Sequence, residues 1–162
     1  MTGFQKDVNL TPALAVAGDF ASANPRASVL AGENGLVAGT GGVTVGRFAW
    51  VDADGITVLS SDAAAAPSGF VHREQQALIT TYLAESGNVI PEGFAVTLHN
   101  EGDFWALLTG PNAAVVGDAI NAVLANGSVT AGAAVPGTSV ATQFKAKSAG
   151  AVGELIKIST WG

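Results

Sequence analysis

The run VTVGRFAWVDADGITV, residues 43–58, constrains the fold more than any other part of the chain. Val43 and Val45, then Phe48 and Trp50, lead into a DADG turn that is followed by Ile56 and Val58. Period-two spacing lines apolar side chains on one face of a strand, and Asp-Gly between two such runs signals a tight hairpin, because glycine accepts the positive φ the turn needs. The texture recurs downstream. GFVHREQQALITTYL, residues 69–83, reads as a strand with Phe70, His72, Glu74 and Gln76 on one face and Val71, Arg73 and Gln75 on the other. Helix would also suit residues 77–83, but Ile79, Thr80, Thr81 and Tyr82 favour strand. FAVTLHNEGDFWALLTG, residues 94–110, reads as a second hairpin about its Asn-Glu-Gly-Asp turn.

Residues 113–125 carry two signals. Val115, Val116, Ala119, Ile120, Val123 and Leu124 match a helical stripe, whereas Asn126-Gly127 marks a hairpin turn. Gly117 inside a helix would cost about 1 kcal/mol, so a hairpin is the expectation. TSVATQFKAKS and AVGELIKISTW complete the chain as two further strands. Short strands between glycine turns, with at most one helical crossover, imply an all-β fold: an antiparallel barrel or jelly-roll-like sandwich with little helix.

Residues 1–42 lack this alternation. Pro12, Pro25 and repeated glycine interrupt them, so they read as an extended N-terminal arm preceding a single β domain, residues 43–162. Phe4, Val8, Leu10, Leu14, Val16, Phe20, Val29 and Leu30 make the arm too apolar for a disordered tail. It needs a surface to lie on, either its own domain or a neighbouring subunit.

Only 12% of the residues are charged, and 21 of the 162 are glycine. Small side chains and few ions suit tight strand packing and a surface covered by neighbours. The net charge is −6, with no Lys/Arg stripe, which argues against direct nucleic-acid binding. No apolar run approaches the length of a membrane-spanning helix, and MTGFQKDVNL lacks the layout of a signal peptide. With no cysteine there is neither a disulfide nor a thiolate metal site, in keeping with folding in a reducing cytoplasm. DADG begins like a calcium loop but lacks the later ligands, and GTGGVTVG leads into a strand where a phosphate loop would lead into a helix. No cofactor and no metal are expected.

The one dense polar cluster is His72, Arg73, Glu74, Gln75 and Gln76. As a hydrolase site it would use His72 or His99 as base with Glu74, Glu101 or Asp103 as orienting carboxylate. On a strand, however, His72 and Glu74 stand about 7 Å apart, and no Ser or Thr occupies a nucleophile turn. Lateral pairing, with Arg73 meeting a carboxylate from another strand, is the simpler use, and a subunit interface would strengthen it. Trp50 and Trp105 read as core, and the penultimate Trp161 as docked on its own domain or on a partner. Were Trp50 and Trp105 exposed, a carbohydrate- or host-surface-binding module would be the alternative.

The blocks FQKDVNLTPALAVAGDFASANPRASVLAGENGLVAG, VTVGRFAWVD, GFVHREQQALIT, VIPEGFAVTLHNEGDFW and AVGELIKISTWG, taken in succession, resemble the structural cement (capsid decoration) proteins of tailed bacteriophages. The resemblance covers nearly the whole chain. It implies a small β-rich, non-enzymatic protein, made in the host cytoplasm, that binds the outer surface of the assembled head. Its implied partners are the major capsid protein and itself, as a homodimer or homotrimer at a symmetry axis. On that basis the expected contacts to capsid or sister subunits are Phe4, Val8, Leu10, Leu14, Phe20 and Arg26 on the arm, the strip His72, Arg73, Glu74 and Gln75, and Trp161.

Overall fold

The computed structural model describes residues 14–74 and 88–162. Among them run thirteen short strands: β1 (Ala27–Ser28), β2 (Val37–Ala38), β3 (Val43–Thr44), β4 (Phe48–Val51), β5 (Thr57–Leu59), β6 (Gly69–Val71), β7 (Val89–Ile90), β8 (Leu98–Glu101), β9 (Asp103–Leu107), β10 (Ala119–Val123), β11 (Val129–Ala131), β12 (Ser139–Ala146) and β13 (Leu155–Ser159). They form a six-stranded sheet in the order β1-β8-β6-β4-β5-β2, a five-stranded sheet β11-β10-β12-β13-β9, and a two-stranded ribbon β3-β7. The all-β class expected from the sequence holds, and no helix occurs among the described residues.

Both glycine-turn hairpins form where their signals stand. β4 and β5 pair through Trp50–Leu59 and Val51–Val58. Asp54 shapes their turn: Oδ1 accepts the amides of Ile56 and Thr57 at 2.8 Å, and Oδ2 accepts the Thr57 hydroxyl at 2.6 Å. β10 and β11 pair on either side of Asn126-Gly127, so residues 113–125 lead into a hairpin. β12 and β13 pair as the two closing strands.

Three expectations are corrected. The hairpin expected at residues 94–110 is a switch between sheets: β8 pairs with β1 and β6, whereas β9 pairs with β13, and the chain crosses at Gly102. The strand expected from Gly69 stops at Val71, and residues 72–74 leave the ladder; its continuation, residues 75–83, lies outside the described residues. One pair, β2 with β5, is parallel. Of the two forms expected, barrel or sandwich, the structure takes the sandwich: the margins of the five-stranded sheet meet at a Leu108–Val129 bridge, without a closed ladder.

The six-stranded sheet is buried on both faces, which accounts for the continuous apolar runs FAWV and GFV. Phe48, Trp50 and Phe70 meet Phe104, Ala106, Ile120, Phe144, Ile156 and Ile158 of the five-stranded sheet in the core between the layers. Ala49, Val58, Val71 and Leu98 point the other way, where Val43 of β3 and Ile90 of β7 cover them. Edge-to-face ring pairs fill this core: Phe48 lies 5.3 Å from Phe70 beside it in the same sheet and 5.5 Å from Phe144 across the layers.

Residues 14–42 lie on the chain's own sheets, one of the two dispositions that composition left open. They supply β1 and β2, and Leu36 and Ala38 enter the second core. Residues 1–13, including Phe4, Val8 and Leu10, lie outside the described residues.

Candidate functional site

The crossing from β8 to β9 leaves a corner at which the two sheets diverge. The segment Gly18–Ser28 covers it and is hydrogen-bonded to both. Gly18 N–H donates to Trp105 O at 2.8 Å, Trp105 N–H to Asp19 O at 2.9 Å, and Ala21 N–H to Asp103 O at 2.9 Å, so the segment begins as an added strand on β9. It ends as β1 on β8, with Ala27 opposite Glu101 and Ser28 opposite His99. We call this arrangement the clasp.

Phe20 is its centre. The ring stacks on His72 at 3.8 Å and 22°, and the Arg26 guanidinium lies 3.9 Å from the same centroid. Two groups this close to one centroid occupy opposite faces of the ring. The edges of Phe20 meet His99 and Phe104, each at 5.4 Å. An aromatic ring between an imidazole and a guanidinium gains stacking and cation–π energy beyond its buried area.

The polar cluster of the sequence supplies the other fastenings. His72 Nδ1–H donates to Gly18 O at 2.8 Å, a tautomer set by the carbonyl, which can only accept. The same carbonyl accepts Arg73 N–H at 3.0 Å, and the Arg73 guanidinium reaches Asp19 at 3.3 Å. Glu74 turns away and accepts the Thr97 hydroxyl at 2.6 Å. His72 and Glu74 therefore serve different partners and form no acid–base pair.

At the far end, Asp103 Oδ2 accepts Ser22 Oγ and Asn24 Nδ2, both at 2.6 Å. Partial burial pushes the Asp103 carboxyl up, but the hydrogen bonds from Ser22 and Asn24, with the neighbouring Ser159 hydroxyl and the charge of Lys147, outweigh it and hold the group below the ordinary carboxylate range. Trp161 Nε1–H donates to Pro25 O at 3.0 Å, which pins the C-terminus onto the same segment.

Of the residues singled out in the sequence, the structure thus gathers Phe20, Arg26, His72, Arg73 and Trp161 in one place, with Glu74 beside them. Phe20 is packed against the inter-sheet core, while Arg26, Glu74 and Trp161 are exposed. Leu14 stands apart, 90% exposed. Gln75 lies outside the described residues. Sequence reasoning missed the clasp partners Gly18, Asp19, Ser22 and Asn24. The density of Asp, Ser and Asn around a single Phe in GDFASANPR was the available signal.

Of the two tryptophans expected in the core, Trp50 is there, its Nε1–H on Ala65 O at 2.8 Å. Trp105 is a correction: it lies on the outer face of β9, half-buried, with Lys157 Nζ 5.0 Å from its ring. Among the described residues no three His, Asp or Glu side chains stand close enough to hold a metal ion. Most polar groups of the clasp are spent on one another, with His99 Nε2 and Asp103 Oδ1 left without a partner, so the arrangement is equipped to hold a chain segment in place.

Two likenesses place the chain. A family model described as XM1 gp53 minor capsid protein matches residues 4–160. A solved structure of the capsid of Myoviridae phage XM1 contains a chain of similar fold, with TM-score 0.66, 18% identity and 98% of each chain covered. No curated protein matches.

Proposed function

The chain belongs to the XM1 gp53 minor capsid protein family, a structural component of the phage virion, and from that premise we propose that it is a cement protein on the outer surface of the head. In this reading it binds the major capsid protein across neighbouring capsomers, associates with further copies of itself as a dimer or trimer, and performs no catalysis. The observation that carries the reading is a family match along almost the whole chain, joined to a surface that leaves large apolar side chains in water. Leu14 and Leu30 are 90% and 95% exposed on either side of the clasp. Val115, Val116 and Val152 stand out near the opposite end of β9. Burying one leucine contributes about 1.5–3 kcal/mol, and copies linked in an oligomer raise one another's effective concentration. A net charge of −6 is suited to a protein kept apart from packaged DNA.

The contacts proposed are Phe4, Val8, Leu10 and Leu14 ahead of the clasp, the exposed Arg26, Glu74 and Trp161 on its outer side, and Gln75. Phe20, His72 and Arg73 serve by fixing the point from which residues 1–14 depart. The test separates these roles. Deleting residues 2–13 removes none of the clasp contacts described above, so thermal unfolding is expected to stay unchanged while co-sedimentation with heads lacking the protein weakens about tenfold or more. Undiminished binding by this truncation would remove the arm from the proposal.

A further inference from the structure

The clasp encloses one buried titratable side chain, which lies outside the capsid contacts proposed above. His99 is 4% exposed. Its Nδ1 lies 3.4 Å from Ser28 Oγ, and its Nε2 is buried with no hydrogen-bond partner. The His72 ring stands 5.5 Å away and nearly perpendicular, while Phe20 and Phe104 close in at 5.4 and 5.5 Å. The titratable and charged groups around it are His72, which follows β6, Arg26, which precedes β1, and Glu74. His72 in turn adjoins the Arg73–Asp19 pair.

A neutral imidazole fits this site. A protonated one would place a second N–H where no acceptor stands, beside the guanidinium of Arg26 and the ring of His72, with Glu74 opposing them. Burial first, then the electrostatic influence of His72 and Arg26, pushes the His99 pKa down, against the Ala27 carbonyl and Glu74, which raise it. Phe20 and Ser28, two of the groups over the ring, belong to the clasp segment itself. Lifting that segment would admit water to His99 at the margin of the inter-sheet core, where Phe20 packs.

We propose that His99, wedged with Phe20 and His72 between the sheets, is an acid-sensitive latch: neutral, it leaves Gly18–Ser28 clasped across β8 and β9, and protonated, it releases that segment from the sandwich. The sign follows from linkage. A histidine whose pKa in the clasped state lies below its free value of about 6.5 lends stability that is complete above that value and is lost as pH falls below it. The released fraction then grows by up to tenfold per pH unit until the lowered pKa is passed.

Hydrogen exchange on the full chain between pH 8 and 5, corrected for the intrinsic pH dependence, reads this directly and needs no capsid. Protection of the Gly18 and Ala21 amides falls from pH 7.5 to 5.5, by at most about tenfold, while amides in β10 and β12 keep theirs. In His99→Gln the Gly18 and Ala21 protection stays flat over the same range. Equal losses in clasp and sheet amides, or an unaltered acid response in His99→Gln, would overturn the proposal. If His99→Gln does not fold, nuclear magnetic resonance titration of the wild-type imidazole decides: a His99 pKa at or above about 6.5 in the clasped protein overturns it, and a lower one supports it.

Discussion

Gly127 and Gly55 offer a matched pair of substitutions that separates backbone strain from steric contact. Both close hairpins, and their φ values are nearly equal, +68° and +70°. Alanine at either position suffers the left-handed backbone, about 1–2 kcal/mol. At Gly55 nothing lies within 4 Å of the added methyl, so the cost ends there. At Gly127 the methyl would stand 1.9 Å from the carbonyl oxygen of Phe48, an atom of the β4 backbone that cannot swing aside. The hairpin must back away by about an ångström, which breaks the 2.8 Å bond from Phe48 N–H to Gly127 O. An orphaned buried amide costs about 1–3 kcal/mol, and displaced packing around Phe48 a similar amount. Gly127→Ala should therefore cost about 3–8 kcal/mol against about 1–2 for Gly55→Ala, a large share of the 5–15 kcal/mol typical of a folded domain. Urea denaturation followed by tryptophan fluorescence measures both, since Trp50 is buried two residues from Phe48. Costs within 1 kcal/mol of each other would refute the docking of the Asn126-Gly127 turn on β4.

Three further outcomes follow from the clasp. Phe20→Ala removes a partly buried ring stacked on both faces and should cost about 2–3 kcal/mol, with faster exchange at Gly18 and Ala21 than in β12. Arg73→Ala should change unfolding free energy by no more than about 1 kcal/mol, because the Asp19 pair is partly exposed. Asp103 titrates below its free value, so its contribution is full above about pH 3.9 and is lost as pH falls through the lowered value. The melting temperature of Asp103→Asn should accordingly fall less steeply than that of the wild type between pH 4 and 2.

What the sequence disclosed was local. The Asp54-Gly55 and Asn126-Gly127 hairpins are settled by turn chemistry within four residues, and both stand where their dipeptides announce them. The turn through Asn100 to Asp103 looks the same in sequence, yet its flanking strands find partners in different sheets, and that choice depends on distant residues. The double burial of the six-stranded sheet likewise obscured the alternation, since Phe48 and Ala49 face different cores. The polar cluster at residues 72–74 was conspicuous, but its partners Gly18 and Asp19 lie 54 residues upstream, and Asp103 meets Asn24 across 79. Spacing carries no record of such pairings. Trp105 showed the same limit: its alternation was right, and which face of β9 is covered was decided elsewhere in the fold.

The account rests on attachment to the outside of an assembled head. Cryo-electron microscopy of heads reconstructed with and without the protein tests it most directly. The expected difference map shows one sandwich-shaped density per copy outside the shell, bridging neighbouring capsomers, with residues 1–14 against the capsid surface. Density confined to the interior, or identical maps after saturating addition, would contradict it.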